Sequence, residues 1–269
     1  MRVSVLAAAR LVFPVGDQAP GSQEIARPAT VEAGGWRRFS RLSRLSACAL
    51  APVLETAPES CEAAGWTFER DEVALFFGTG IGEFLSSYSF LKSLFTKGPA
   101  MASPLAFQNS VHNAAPGHLS MAFGMRGPSE TLCAGELTVL RTLERAMAYV
   151  LANEQPALVL LADDLGADSE QGWRLAGVTA ALAEGAAAFL LAPPRSGTRQ
   201  LSLVDARKDD PLRTPLWPGE SEGLHAIGCV EGLFLTAEAQ VLAQAFLSGE
   251  AVRIGFRGDR VALELTAAQ

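Results

Sequence analysis

Runs of consecutive apolar residues recur along the chain and predict strands that are buried on both faces. Residues 71–78 (DEVALFFG) have an apolar centre and end in glycine, and residues 157–162 (ALVLLA) are followed by Asp163 and Asp164. Runs of this length without polar alternation are typical of strands in a parallel or mixed sheet. Further strands are expected over residues 1–14, 186–192, 251–256 and 260–265, and a Gly-Asp turn joins the last two.

Helical periodicity separates these runs. In residues 135–153 one apolar stripe follows the spacing of a helix that packs on a core, and it consists of Leu137, Leu140, Leu143, Met147 and Val150. Helices are also expected over residues 36–51, 83–96 and 233–247, and a loop over the Gly/Pro/Ala-rich residues 15–35. Strands that alternate with helices predict an α/β fold with a layered mixed sheet and buried helices.

The segment from Gly78 to Gly82 (GTGIG) follows a predicted strand and precedes a predicted helix. Its third glycine comes one residue too early for the G-x-G-x-x-G pattern that binds dinucleotides, and no strand ending in an acidic residue follows at the required distance. We therefore expect the glycines to permit close backbone packing at a strand-to-helix turn. No cofactor is predicted.

Composition and charge exclude several function classes. Of the 269 residues, 49% are hydrophobic and 19% are charged, which excludes global disorder. The formal net charge of −7 and the lack of a Lys/Arg stripe exclude nucleic-acid binding. The apolar runs are too short to span a bilayer, and Arg10 interrupts the apolar N-terminus, which favours a core strand over a secretion signal. A cytoplasmic protein with no membrane partner is expected.

A basic face is predicted on the helix over residues 36–51, where four arginines stand among apolar residues: Arg37, Arg38, Arg41 and Arg44. Its plainer interpretation is a solvated surface, and the sharper alternative is a docking surface for an acidic partner.

Cysteines and histidines give little sign of chemistry by their spacing. The cysteines are Cys48, Cys61, Cys133 and Cys229. None forms a C-x-x-C pair, so buried free thiols in a reducing cytosol are expected. The histidines are His112, His118 and His225. They lack the i, i+4 spacing of a helical metal site, so no metal is predicted, and the first two are each expected to hydrogen-bond backbone.

The most informative stretch is residues 104–144, which read PLAFQNSVHNAAPGHLSMAFGMRGPSETLCAGELTVLRTLE. It resembles the N-terminal half of β-ketoacyl synthases, members of the thiolase-like superfamily. The residues that fit the family's frame without a gap are Asn113, Gly117, Gly124, Gly127 and Pro128. Segments 74–82, 157–164 and 184–188 also resemble family elements, so the resemblance covers residues 70–195. It implies a thiolase-like fold whose C-terminal half is truncated.

Several departures from the family concern its catalytic residues. The family's nucleophilic cysteine falls eight residues after the proline of the GP turn, at the start of a long helix, and this position is Glu136 here. Cys133 lies three residues earlier and is expected on the strand that leads into the helix. Nothing matches the family's HGT motif. Residues 220–228 (ESEGLHAIG) resemble its K-x-x-x-G-H-x-x-G motif, which makes His225 either a remnant of the second histidine or an ordinary surface residue. A lone condensing enzyme is therefore not expected.

The resemblance implies a role as a partner subunit. Type II polyketide systems pair an active ketosynthase with an inactive homologue, the chain-length factor, and this chain resembles the chain-length factors found beside aryl polyene synthases. Its partners would be an active β-ketoacyl synthase and, through the complex, an acyl carrier protein. By family position, the wall of the partner's acyl pocket and the dimer interface fall to Leu105, Ala106, Phe107, Ser110, His112, Asn113 and Met121. The plainer alternative is that these residues make core or homodimer contacts.

Two other functions stay open. In a malonyl-carrier-protein decarboxylase, Glu136 would replace the glutamine of some inactive homologues, although a charged carboxylate opposes a developing enolate. In a self-associating docking module for carrier proteins, the basic face would make the contact. The resemblance divides the single domain into an N-terminal half (1–195), a variable linker (196–222) and a remnant of the C-terminal half (223–269). A shortened protomer is expected to expose an apolar edge and helix face.

Overall fold

The computed structural model describes residues 1–14, 21–175, 182–205, 237–255 and 261–266, with the backbone alone for Pro14, Glu136 and Ala237. In this part of the chain the strands are β1 (Arg2–Pro14), β2 (Ala74–Gly78), β3 (Ser129–Leu132), β4 (Ala157–Asp163), β5 (Ala183–Ala192), β6 (Arg199–Asp205), β7 (Val252–Gly255) and β8 (Val261–Thr266). The helices are α1 (Ala33–Trp36), α2 (Arg41–Ala63), α3 (Phe84–Lys97), α4 (Pro104–Gln108), α5 (Ala114–Phe123), α6 (Thr138–Asn153), α7 (Ala167–Leu175) and α8 (Ala237–Ser248). Single 3-10 turns occupy Pro99–Met101 and Gly135–Leu137.

These strands join one mixed sheet in the order β3-β2-β4-β5-β1-β6-β8-β7. Strand β2 runs parallel to both β3 and β4, and the other neighbouring pairs are antiparallel. All residues of β4 and β5 are buried, as their continuous apolar sequences require. Strand β3 lies at one edge of the sheet.

Helices cover both faces of the sheet. On one face α2 and α5 bury Leu50 and Leu119 with Phe77 of β2. On the other face α6 and α8 bury Met147 and Leu242 in a second cluster. The result is a helix–sheet–helix arrangement of three layers, which confirms the predicted α/β class with a layered mixed sheet and buried helices.

The predicted helix over residues 36–51 is wrong at both ends. Helix α1 ends at Trp36 and α2 begins at Arg41, because Ser40 is its N-cap and accepts a hydrogen bond from the amide of Ser43 at 3.0 Å. Helix α2 then continues past Pro52 and Pro58 to Ala63. A proline inside a helix removes a hydrogen bond, but packing of the buried face sustains α2 beyond the predicted end at residue 51.

Most other predicted elements are confirmed within a few residues. They are β1, β2, β4, β5, β7, β8, α3, α6 and α8, although residues 256–260, where the Gly-Asp turn was expected, and 233–236 lie outside the described part of the chain. Elements that the sequence did not indicate are α1, α4, α5, α7 and β6, and α1 begins inside residues 15–35, which were expected to be a loop. Helix α5 contains Pro116 and Gly117, which weaken a helical pattern. Strand β6 pairs with β1 and β8 inside the stretch that was expected to be a linker.

No helix in the described ranges is both long and apolar enough to cross a membrane.

Candidate functional site

The carboxyl ends of three parallel strands, β2, β3 and β4, meet at one end of the sheet. Gly78 pairs with Leu132 and with Leu161 in the two ladders, so the turn after β2, the residues after β3 and the acidic end of β4 become neighbours. Ligands of open α/β sheets bind outside the carboxyl ends of the strands. This strand-end region is also where the family resemblance places Glu136.

The glycine turn after β2 depends on the lack of side chains. A Cβ on Gly78 would collide with Oγ1 of Thr142 and lie 2.6 Å from Cδ2 of Leu161, so only glycine lets β2 run this close to α6. Gly82 has a φ of +64°, and a Cβ there would overlap the imidazole ring of His112. The expectation of close packing at a strand-to-helix turn is confirmed.

Asp163, the last residue of β4, holds this turn in place. Its Oδ1 accepts hydrogen bonds from Oγ1 of Thr79 at 3.0 Å and from the amides of Gly80 and Ile81 at 2.8 and 3.4 Å. The amide of Gly82 in turn donates to Thr79 Oγ1 at 3.1 Å. Backbone amides that converge on a carboxylate stabilise its charged form.

Cys133 follows β3 directly and sits beside the glycine turn, close to its expected place. Its thiol donates to the carbonyl of Gly80 at 3.4 Å. Desolvation and the charge of Asp163 raise the pKa of the Cys133 thiol, and a hydrogen bond from the backbone of Gly135 opposes them only in part. A catalytic cysteine needs the opposite, a lowered pKa. The Cys133 thiol is exposed, so the expectation of a buried cysteine is wrong at this position. Cys61 is buried and Cys48 is half-buried, and all three cysteines are free thiols.

The backbone of Glu136 lies in the 3-10 turn just before α6, at the helix start where the resemblance places the family's nucleophile. Thr138 fixes this turn, because its Oγ1 donates to the carbonyl of Gly135 at 2.8 Å and accepts from the amide of Ala134 at 3.0 Å. The side chain of Glu136 and the whole of His225 lie outside the described part of the structure, as does Cys229.

Behind the turn lies a group of buried acids that we call the carboxylate cluster: Glu83, Asp163, Asp164 and Glu184. Arg41 of α2 forms an ion pair with Glu184, donating to both of its carboxylate oxygens, and the amide of Leu165 donates to Oε2 of Glu184 at 3.1 Å. Burial raises the pKa of Glu83 to about 7, against the hydrogen bonds from Ser40 and Ser86.

Asp164 is the most isolated member of the cluster. It is 1% exposed, and neither of its carboxylate oxygens has a hydrogen-bond partner among the described residues. Burial, followed by the charges of Glu83, Glu184 and Asp163, holds the pKa of Asp164 well above its usual range, while Arg41 acts in the opposite direction. A buried carboxyl in these surroundings is stable as the neutral acid.

The predicted basic face is therefore not one surface. Arg41 points inward to Glu184 and is tied to the carbonyl of Gln23 at 3.0 Å. Arg44 lies over the ring of Trp36 at 5.4 Å. Only Arg37 and Arg38 of the four are exposed, and both precede α2. The error follows from the wrong helix start, which placed the four arginines on one helical face.

A chain of side-chain hydrogen bonds connects the carboxylate cluster to α5. The hydroxyl of Ser40 donates to Glu83 at 2.6 Å and lies 2.8 Å from the hydroxyl of Ser43, which in turn lies 3.0 Å from Nδ1 of His118. The imidazole stacks on Phe39 at 5.1 Å, and burial lowers the pKa of His118. His118 thus bonds a side chain instead of the expected backbone group.

In contrast to the buried acids of the carboxylate cluster, large apolar side chains are exposed on α3, α4, α5 and the loops between them, and we call these side chains the apolar face. Thirteen large apolar side chains are exposed in the described part of the chain, and nine of them fall between Phe84 and Met121. The nine are Phe84, Tyr88, Leu91, Phe95, Met101, Leu105, Phe107, Val111 and Met121. An exposed apolar patch of this kind marks an interaction surface.

The residues predicted for a pocket wall or interface lie on or beside the apolar face. Phe107 is 61% and Met121 74% exposed, and Leu105 is exposed as well, so core packing does not explain them. His112 and Asn113 are also exposed, while Ala106 and Ser110 are half-buried. The expected exposure of an apolar helix face is thus observed.

The described residues contain no group of three or more His, Cys, Asp or Glu side chains arranged to hold a metal ion. Sequence reasoning singled out Asp163, Asp164 and the segment with Glu184 as family elements, but it did not predict that they form one buried cluster with Glu83 and Arg41. Charged residues inside otherwise apolar strand ends were the available signal.

Comparisons with known proteins agree with this geometry. A family model for the N-terminal domain of β-ketoacyl synthase matches residues 16–214. A search of curated proteins found no match.

Three solved structures of ketosynthase complexes share the fold. One chain of the complex between a ketosynthase (ApeO) and its chain length factor (ApeC) from Xenorhabdus doucetiae aligns over 99% of both chains with a TM-score of 0.65 and 15% identity. The ishigamide ketosynthase/chain length factor aligns over 100% of this chain and 99% of its own chain, with a TM-score of 0.68 and 14% identity. AntDE:AntF, a type II PKS acyl-carrier protein in complex with its ketosynthase, aligns over 99% of both chains, with a TM-score of 0.66 and 13% identity. With the family model spanning more than half of its length, this chain belongs to the β-ketoacyl synthase family and has the thiolase-like fold.

Proposed function

We propose that this chain is a non-catalytic chain-length-factor subunit that pairs with an active β-ketoacyl synthase and shapes its acyl or polyene pocket. The pathway would be of the type II polyketide or fatty-acid-like class, such as aryl polyene synthesis, in the cytoplasm. The observation that carries the proposal is the apolar face, which stands beside a strand-end region where the described residues offer no activated nucleophile. An apolar surface next to an inactive site is the expected form of a protomer that works through its partner.

The strand-end region supports the non-catalytic half of the proposal. A cysteine nucleophile needs a neighbouring base or a lowered pKa. The pKa of the Cys133 thiol is raised, and the thiol donates a hydrogen bond to the carbonyl of Gly80. The position at the start of α6 carries Glu136, a poor acyl carrier.

The apolar face supports the pairing half. Leaving nine large apolar side chains in water costs free energy that a partner surface would recover, at roughly 25 cal/mol per Å² of apolar area covered. Strand β3 leaves one edge of the described sheet unpaired, and such edges are templates for pairing with another chain. In the family, edge strands of two protomers join their sheets.

The resemblance gives the wall of the partner's acyl pocket to part of this face. Phe107 packs on Phe90 at 5.3 Å, which fixes its ring while leaving much of it exposed. An aromatic ring held at a pocket end limits the chain length that fits, since overpacking by a methylene group is already costly.

Co-expression with the ketosynthase encoded beside it, followed by size-exclusion chromatography with mass determination, tests the pairing. We expect a one-to-one heterodimer, and a chain that, when expressed alone, aggregates as its concentration rises and stays dispersed only in dilute solution. A soluble homodimer that ignores the ketosynthase would contradict the proposal, and malonyl decarboxylation would then be assayed for the wild type against Glu136→Ala.

Product analysis of the heterodimer tests the pocket. Phe107→Ala should shift the products towards longer chains, because the wall residue becomes smaller. Phe95→Ala is the matched control, since Phe95 is an exposed phenylalanine of the same face that the family resemblance does not place at the wall. An unchanged product distribution for Phe107→Ala would remove this residue from the wall.

A further inference from the structure

The apolar face has an unusual distribution of charge. The 44 residues from Phe84 to Gly127, which supply α3, α4 and α5, contain no aspartate or glutamate, whereas the whole chain has 29 acidic residues. At the average density of the chain, a stretch of this length would contain about five. The same stretch contains Lys92, Lys97 and Arg126, so the segment that supplies the apolar face carries a net positive charge in an otherwise acidic protein.

A second source of positive charge lies beside the face. The side-chain amide of Asn109, at the end of α4, donates to the carbonyl of Arg38 at 3.0 Å. This bond holds the turn with Arg37 and Arg38 next to the loop between α4 and α5. Both arginines are exposed, and they are the two members of the predicted basic face that make no inward contact.

One acid from another element reaches the face. Asp168 of α7 lies 3.6 Å from Nζ of Lys92 and 3.5 Å from the hydroxyl of Tyr88. Asp168 therefore compensates the positive charge of Lys92. Lys97 and Arg38 keep their side chains exposed, and the described residues offer them no carboxylate within 4 Å. Glu83 touches α3 through Ser86, but it is buried and faces the carboxylate cluster.

This pattern has a consequence for the choice of partner. In a symmetric homodimer the same patch would meet itself, which places cations against an equally cationic rim. Like charges across an interface disfavour a wrong partner, and opposite charges accelerate encounter with the right one. An apolar centre with a cationic rim fits a surface with an apolar centre and carboxylates around it.

We infer that the apolar face docks a different protein, one whose apolar contact surface is bordered by carboxylates opposite Lys97 and Arg38, in preference to a second copy of this chain. This inference rests on the proposed function, in which that protein is the active ketosynthase subunit.

Charge reversal of single exposed residues tests the inference in the complex of full chains. Lys97→Glu and Arg38→Glu are compared with Arg70→Glu, an equally exposed arginine on the turn before β2 that carries the same change in charge. The chains of each purified heterodimer are separated, this chain is kept in dilute solution, and its re-association with the ketosynthase is followed by stopped-flow fluorescence or biolayer interferometry at low and at high salt. We expect each face variant to associate about three- to tenfold more slowly than the Arg70→Glu control at low salt, and the difference to vanish at high salt, where charges are screened.

The outcomes separate the two proposals. Wild-type binding to the ketosynthase with equal rates for the face variants and the control would overturn the inference and leave the proposed function intact. Failure of the wild-type chain to bind any ketosynthase would contradict the proposed function itself. Circular dichroism of the three variants verifies that each one folds, and exposed charge reversals are expected to leave the fold unchanged.

Discussion

The carboxylate cluster and the apolar face are built in opposite ways. In the cluster, four acids are buried and two of them are bonded from inside the fold, Glu184 by Arg41 and Asp163 by three donors. On the apolar face, large hydrophobic side chains stay in water, Phe95 with 81% of its surface exposed. The contacts of the first region lie within this chain, whereas the second region gains contacts only when another surface covers it. The difference teaches that stability and partner binding reside in separate parts of the molecule.

The largest expected effect comes from removing Arg41, the arginine that forms an ion pair with Glu184 of the carboxylate cluster. Arg41→Ala leaves Glu184 buried beside three other acids without its counter-charge, and breaking a buried ion pair in this way costs about 3–5 kcal/mol of unfolding free energy. Urea unfolding measures the loss. The control Arg37→Ala removes an exposed arginine and should change the free energy by about 0.5 kcal/mol or less. Equal losses for both variants would contradict the role of Arg41.

Next in size is the pH dependence from Glu83. Its pKa is raised to about 7 in the fold, so the folded state holds the proton more tightly than the unfolded chain. The stability contributed by neutral Glu83 is present at acidic pH and is lost as the pH rises towards 7, by up to about 3 kcal/mol. The lowered pKa of His118 acts in the opposite sense below its usual value.

Glu83→Gln separates these two contributions, because glutamine stays neutral at every pH. Urea unfolding between pH 5 and pH 8 should show a gain in stability of the variant over the wild type that grows as the pH rises. The exposed Glu59→Gln is the matched control and should give a constant difference. A difference that stays constant for Glu83→Gln as well would show that Glu83 is charged throughout.

A smaller effect on stability is expected from replacing a glycine by alanine, and its sign should depend on the space around the glycine. Gly78→Ala forces a methyl group against Thr142 and Leu161 and should cost about 1–3 kcal/mol. Gly117→Ala is its control, because a Cβ at this exposed position in α5 meets nothing within 4 Å and should stabilise the helix by about 0.5–1 kcal/mol. Thermal unfolding of both variants should therefore move in opposite directions, and a parallel shift would contradict the packing at the glycine turn.

The smallest effect on the free chain is expected on the apolar face. Phe95→Ser removes an exposed ring and should change the unfolding free energy by less than about 0.5 kcal/mol. In the heterodimer the same change should weaken binding, because Phe95 lies on the apolar face that the partner covers, and isothermal titration calorimetry measures the loss of affinity. Strong destabilisation of the free chain by Phe95→Ser would contradict the assignment of Phe95 to partner binding and not to stability.

Sequence patterns predicted much of the fold because apolar periodicity reports directly on burial. The runs that became β2 and β4 and the stripe of α6 were recognisable for this reason. Elements such as α5 and β6 were missed, since Pro116 and Gly117 obscure one and β6 depends on pairing with distant strands. Helix α2 was shifted because the N-cap Ser40 was not weighed against the preceding arginines.

The candidate site was less predictable than the fold. The position of Glu136 at a helix start followed from a gapless motif and agrees with the backbone. The partnership of Arg41 with Glu184 and the route from Glu83 to His118 join residues far apart in the chain, and nothing in local sequence indicates such contacts. The apolar face was expected from family position, while its lack of acids became meaningful only once α3, α4 and α5 formed one surface.

Reconstitution of product synthesis tests the central claim, a subunit required as a partner but not as a catalyst, most directly. The co-expressed ketosynthase is supplied with acyl carrier protein and malonyl units, with and without this chain, and the products are measured by mass spectrometry. We predict that products form only when both chains are present and that Cys133→Ala and Glu136→Ala in this chain leave the yield unchanged. Full synthesis by the ketosynthase alone, or loss of products with either variant in a correctly assembled heterodimer, would contradict the account.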